Sequence, residues 1–285
     1  MKGHASKELW DWEIRPETPW FSTSLKELFQ YKDLIIQLVR KDFLGSYQQT
    51  LLGPFWVLLQ PLLTVLIYVL VFNKFIGIST GSTPPFLFNL IGITLWGLFS
   101  ETFLQLSKTF SQNIEIFSKV YFPRVIVAIS SLSLQIILFG IQLLLLCCAY
   151  SYFAATGIVD FNFARIFLIF PAIVVTAGIA FGGGLIFSVL TAKYRDLLPL
   201  LHMLIRLLMF VCPIFYSVAM VPENIQWVVK INPLSSQFEL FRYSFLGSGT
   251  VEVPELLYSG GFMIIIVLLG TLLFNKMSDR LMDVL

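Results

Sequence analysis

The sequence predicts an all-α integral membrane protein: six transmembrane helices, an N-terminal amphipathic interface helix, and short re-entrant helices on the outer side. Three observations lead there. The 285 residues are 57% hydrophobic and only 13% charged, with a mean hydropathy of +0.82, the composition of a chain that crosses a bilayer repeatedly. Six apolar stretches, 51–72, 86–106, 125–153, 166–190, 197–219 and 256–274, are each long enough for a hydrocarbon layer of about 30 Å. A charged amphipathic segment feeds directly into the first of them.

Residues 1–23 form a polar leader. Positions 1–50 mix seven basic with seven acidic residues, and no apolar core precedes a small-residue cleavage site, so no cleavable signal peptide is expected. Leu25, Leu28, Phe29, Ile35, Ile36, Val39 and Phe43 then recur at helical spacing. Lys26, Gln30, Asp33, Gln37, Arg40 and Lys41 take the opposite face. Ser24 and Glu27 form a capping box at the start of this helix. Gly53-Pro54 turns the chain sharply into the first span, which is apolar apart from Gln60, Thr64 and the kinking Pro61. Such a junction suits a protein that passes force from a cytosolic partner to a membrane domain. The boundaries are 24–50 for the interface helix and its turn, 51–275 for the six-span domain, and 276–285 for a cytosolic tail.

With the N-terminus inside, the inner segments hold fourteen Lys and Arg residues and the outer segments four: Lys74, Arg165, Lys230 and Arg242. That bias puts both termini in the cytosol. In the inner connection 108–124, Phe110, Ile114, Phe117 and Tyr121 predict a short amphipathic helix, either an interfacial anchor or a docking helix. The third span exceeds one perpendicular crossing and should tilt. In the fourth, Gly178, Gly182, Gly183 and Gly184 offer a surface for close helix packing. The outer segment 221–254 carries Trp227, Val228, Val229 and Ile231 before Asn232-Pro233, and Phe238, Leu240, Phe241, Tyr243, Phe245 and Leu246 after it. Two helices too brief to span, re-entrant or surface-lying, fit this pattern, and an aromatic belt fits it also.

Catalytic chemistry is missing from the sequence. The histidines are His4 and His202, and Cys147, Cys148 and Cys212 lie within spans as small apolar residues. No metal-ligand spacing, nucleophile elbow or P-loop occurs, so the chain is not expected to be an enzyme or to hold a cofactor. Any ATP and Mg would sit on another polypeptide. A net charge of +2, with no basic run among aromatics, gives no nucleic-acid signal. Two charges stand inside apolar spans, Glu101 and Arg206. They could pair, Arg206 could meet a phosphate, or both could reach interfacial water.

The run Arg40-Lys-Asp42, Tyr47-Gln-Gln-Thr-Leu-Leu-Gly-Pro-Phe-Trp56 and Leu59-Gln-Pro-Leu62 resembles the start of the first span in ABC-2 type polysaccharide-export permeases. Its Gln-Pro version is most similar to Wzm-type O-antigen permeases; capsule and teichoic-acid permeases are relatives. Lys119-Val-Tyr-Phe-Pro-Arg124, Tyr194-Arg-Asp196, Pro213-Ile-Phe-Tyr216 and Asn232-Pro-Leu234 resemble further landmarks of that family, in order. The chain departs from the pattern at Gly45-Ser46, where a basic residue before the Tyr is more usual.

The resemblance implies a homodimer in the bacterial inner membrane, bound to two nucleotide-binding ATPase subunits and exporting an undecaprenyl-linked polysaccharide. It implies an inner-mouth turn at Leu52-Gly53. It implies an ATPase contact through the helix at 25–43, with Asp33, Gln37, Arg40 and Lys41, and the loop at 112–119, with Gln112, Glu115 and Lys119. It also implies outer gate helices at 223–231 and 234–246, with Trp227, Phe238, Phe241 and Tyr243. A conduit for sugars would use aromatic faces, and Trp56, Tyr68, Trp96, Phe99, Phe103, Phe210, Phe215 and Tyr216 supply them in spans one, two and five. Each could equally face lipid or core. Spans one and five, with Arg206 for an incoming pyrophosphate, are the expected channel walls at a two-fold interface. The competing classes are an exporter of capsule or teichoic acid and an ion-coupled secondary transporter. The latter needs a midplane carboxylate, and Glu101 stands too close to the cytosol.

Overall fold

In the computed structural model of the chain, residues 30–48, 50–81, 83–119, 122–160 and 162–282 are described, without the side chains of 114–116, 118–119 and 278–282; the leader and the Ser24–Glu27 capping box lie outside. Regular structure among the described residues is entirely helical. In chain order the α-helices are α1 (Lys32–Tyr47), α2 (Trp56–Tyr68), α3 (Pro85–Ser107), α4 (Thr109–Lys119), α5 (Val125–Ala155), α6 (Phe163–Ile166), α7 (Ile169–Lys193), α8 (Leu197–Val211), α9 (Glu223–Ile231), α10 (Pro233–Leu246) and α11 (Val253–Met282).

Five helical stretches among the described residues are long and apolar enough to cross a membrane: Gly53–Phe75, Pro85–Ser107, Val125–Ala155, Phe163–Lys193 and Val253–Met277. The predicted span at 197–219 is divided. Its helix α8 stops at Val211, and a 3₁₀ turn, Val218–Met220, follows the break. Pro213 is the cause: Cys212 before it is forced to an extended backbone (φ −74°, ψ 142°), which ends the helix.

Helix α3 is the hub. It packs against α7 and α5, while α7 packs against α11 on its other side. The glycines expected to allow close packing do so on two faces. A side chain at Gly182 would strike the backbone of Ile266 and Val267 in α11, and one at Gly184 would strike Leu106 of α3. With lipid outside and apolar side chains inside, such van der Waals contact takes the place of the hydrophobic drive.

At the inner end, α1 and α4 join one cluster. Leu38, Phe110, Phe117, Phe122, Ile126 and Phe274 are buried together, with Tyr31, Leu34 and Ile35 against them. Leu38, not Ile36, is thus the centre of the buried stripe, and Ile36 is 62% exposed. The helix also runs through Gly45 to Tyr47, where the Ser46 hydroxyl donates to the Asp42 carbonyl at 2.8 Å. The turn comes only at Gly53, whose φ of +53° suits a residue without Cβ.

The outer pair behaves differently from a surface belt. Asn232 caps α10 by accepting from the Leu234 N–H at 3.0 Å, and α10 is buried along nearly its whole length. It lies against α7, α11 and α3. Helix α9 keeps Trp227 and Ile231 exposed.

Candidate functional site

A polar groove of about 480 Å³ runs between α2, α3 and α5 and opens toward the end of α1. Trp56, Gln60, Thr64 and Tyr68 form its α2 wall, one residue per turn over about 18 Å of helix. Trp96, Ser100, Glu101 and Gln105 come from α3, and Gln135 and Gln142 from α5. Gly97 has no side chain to block Gln142, whose Oε1 would lie 3.1 Å from a Cβ there. Asp42, Ser46 and Tyr47 close the inner end, so α1 touches the groove directly.

Aromatic packing lies behind the outer end. Tyr68 meets Phe215 edge-on at 4.7 Å, and Phe72 stacks on Phe215 at 4.6 Å. The Tyr68 hydroxyl rests 3.9 Å from the Met209 sulfur, which also lines the groove. Phe215 belongs to the break after α8, and that break is held from within. Arg242 of α10 donates to the Pro213 carbonyl at 2.6 Å and to Glu239 at 2.9 Å. Glu239 accepts in turn from the Val218 N–H at 3.0 Å. Phe88 lies under the guanidinium at 4.1 Å. Non-helical backbone at membrane depth must find its partners inside the protein, and this ion pair supplies them.

The structure separates the residues expected to form a channel. Trp56 and Tyr68 line the groove, and Trp96 borders it from the core with 7% of its surface exposed. Phe99, Phe103 and Phe215 are buried in the protomer's core. Phe210 and Arg206 sit on the exposed side of α8. Tyr216 is half-buried and donates its hydroxyl to the Val211 carbonyl at 2.9 Å. Leu52 and Gly53 form the inner turn, with the Phe55 N–H donating to the Leu52 carbonyl at 3.1 Å. No ion pair among the described residues joins Glu101 to Arg206.

On α1 and α4, Asp33, Gln37, Arg40, Lys41 and Gln112 are exposed, while the side chains of Glu115 and Lys119 lie outside those described. The Gln112 carboxamide oxygen accepts from groove-lining Gln105 at 3.4 Å. On the outer side Phe238 and Phe241 are buried, Tyr243 is half-buried and Trp227 is exposed. Lys230 ties α9 to the start of α11. Its hydrogen bonds to Glu255 and Glu252, at 2.8 and 3.0 Å, hold the amine above the usual lysine range. A raised lysine keeps its contribution below the ordinary value and loses it only as pH climbs through the raised one, so the tie is intact at neutral pH.

In the sequence, Gln60, Thr64, Gln135 and Gln142 pass as minor interruptions of apolar spans. Their signal is the four-residue spacing of Trp56, Gln60, Thr64 and Tyr68, which puts polar groups on one stripe. Glu239 goes unremarked and Arg242 counts only as one charge among four, although spacing of i, i+3 on a helix marks a possible pair.

A family profile described as ABC-2 type transporter matches residues 33–246, a span that takes in the groove, most of α1, all of α4, and both outer helices. Two proteins of Klebsiella pneumoniae, each named O-antigen export system permease protein RfbA, are 26% and 27% identical to the chain over 254 and 264 residues. Each alignment covers 89% of this chain and 95% of the relative. A protein of the same name from Myxococcus xanthus is 23% identical over 263 residues, covering 90% of this chain and 96% of its own.

Proposed function

The chain belongs to the ABC-2 type transporter family, and from that premise we propose that it is the permease subunit of an ATP-driven exporter. Its cargo is a lipid-linked polysaccharide of the O-antigen type, carried on undecaprenyl and moved from the cytosol to the outer face of the inner membrane. The relatives named for O-antigen export support the cargo class. The sequence carries no P-loop motif, which supports placing ATP hydrolysis on a separate subunit. Two permeases and two ATPase subunits make the assembly, with both permease termini in the cytosol.

The observation that carries this reading is the position of α1. One side of it leaves Asp33, Gln37, Arg40 and Lys41 exposed, another buries Leu38 in the cluster shared with α4, and its last turns line the groove. Helix α4 shares that cluster and reaches the groove through Gln112 and Gln105. A subunit that pushes on α1 and α4 therefore acts on the groove wall through two contacts, the last turns of α1 and the Gln112–Gln105 hydrogen bond. The groove supplies what a sugar chain needs: amide and hydroxyl groups for its hydroxyls, and the exposed face of Trp56 for its C–H surfaces.

The test is reconstitution in liposomes with the ATPase subunit and a lipid-linked oligosaccharide. Export should require ATP and both subunits, and Trp56→Ala, at an exposed groove position, should lower it with assembly intact. Movement of the cargo down an ion gradient with no ATPase subunit present would reject the proposal.

A further inference from the structure

The charge of the groove bears on which polysaccharide it takes. Its ionisable side chains other than tyrosine are Asp42 and Glu101, both acids, and no lysine, arginine or histidine lines it. The nearest cations stand outside the lining. Lys41 pairs with Asp42 at 3.6 Å with its own side chain 58% exposed. Lys108 caps the C-terminal end of α3, about two turns along the helix from Glu101. Glu101 itself forms no ion pair among the described residues.

We propose that this groove admits an uncharged polysaccharide and rejects polyanionic ones, a reading that rests on the groove being the glycan path. A sugar hydroxyl both donates and accepts. It can give its proton to the Glu101 carboxylate and take one from the amides of Gln60 or Gln142. The carboxylate of a uronate or the oxygens of a phosphodiester in each repeat can only accept. It would face a carboxylate across a space walled by apolar helices, where unlike water the medium screens charge poorly. The same argument places the pyrophosphate of the lipid carrier outside this groove, so the anionic head and the neutral chain take different paths through the protein. Among the cargoes left open by the sequence, a neutral O-antigen fits, whereas teichoic acid and uronate-rich capsule do not.

The experiment uses the full chain in lipid nanodiscs and reads tryptophan fluorescence. The probes are a neutral mannose oligomer and a galacturonate oligomer of equal length. The neutral oligomer should quench at a concentration about tenfold or more below the acidic one. Trp56→Phe should diminish the signal, assigning it to the groove, and Glu101→Lys should bring galacturonate binding up to the level of mannose or beyond. Galacturonate binding as tight as mannose binding in the unaltered chain, or a preference untouched by Glu101→Lys, overturns the charge selection and leaves the glycan path standing. Quenching by neither oligomer overturns the glycan path and the selection with it.

Discussion

Arg242 is 1% exposed and bonded to a carboxylate and to the Pro213 and Ile214 carbonyls at once. Taking it away strands Glu239 as a buried charge and leaves the break after α8 without its donors. Arg242→Ala should therefore cost about 3–5 kcal/mol of stability. The double change Glu239→Met with Arg242→Met removes both charges and leaves the Pro213 and Ile214 carbonyls and the Val218 N–H unpaired, so it should lose less, about 1–3 kcal/mol. Thermal unfolding in detergent ranks the two, and a double variant less stable than the single would show that the pair is not the main term. Along the sequence, Arg206 is the more conspicuous arginine because it interrupts an apolar run, while Arg242 counts only as one of four outer charges. The run is real, but α8 is amphipathic enough to turn Arg206 outward. Which of two arginines is enclosed depends on the helices around it, and that information is not local to the sequence.

Helices are the most legible level. The break at Asn232-Pro233, the short inner helix after the second span and the turn at Gly53-Pro54 all follow from proline, glycine and periodicity, and all are present. The groove is harder to read, since its three walls come from segments far apart in the chain and nothing local says that α2, α3 and α5 adjoin. The α7–α11 seam shows how much one such adjacency depends on a missing side chain. A Cβ on Gly182 meets the α11 backbone, which cannot step aside as a flexible side chain would, and a Cβ on Gly270 would run into the Gly182 carbonyl. Gly182→Ala should separate the helices and cost about 1–3 kcal/mol. Gly260→Ala, on the same α11 with open space around it, should be neutral or slightly stabilising. Equal melting temperatures for the two variants would mean that the seam does not set the packing.

At the scale of the whole molecule, one face remains without a partner. Helix α8 places only Leu201 and Ile205 in the core and leaves Met203, Leu204, Leu207 and Phe210 exposed, with Arg206 among them. At 15 residues it covers about 22 Å, less than the hydrocarbon layer, and beyond it the chain is irregular. Lipid is a poor neighbour for a short helix that carries an arginine and ends in a broken segment; protein is a better one. The exposed side of α11, with Ile264, Ile265, Leu268 and Leu269, has no such charge or break and suits lipid. We therefore expect the two-fold contact of a homodimer to run along α8, which would place the grooves of the two protomers on either side of it. With Cys147 and Cys148 replaced by serine and the buried Cys212 retained, Leu207→Cys should give a disulfide-linked dimer on oxidation in membranes. Ile265→Cys should stay monomeric under the same conditions. The reverse pattern would move the interface to α11 and turn α8 toward lipid.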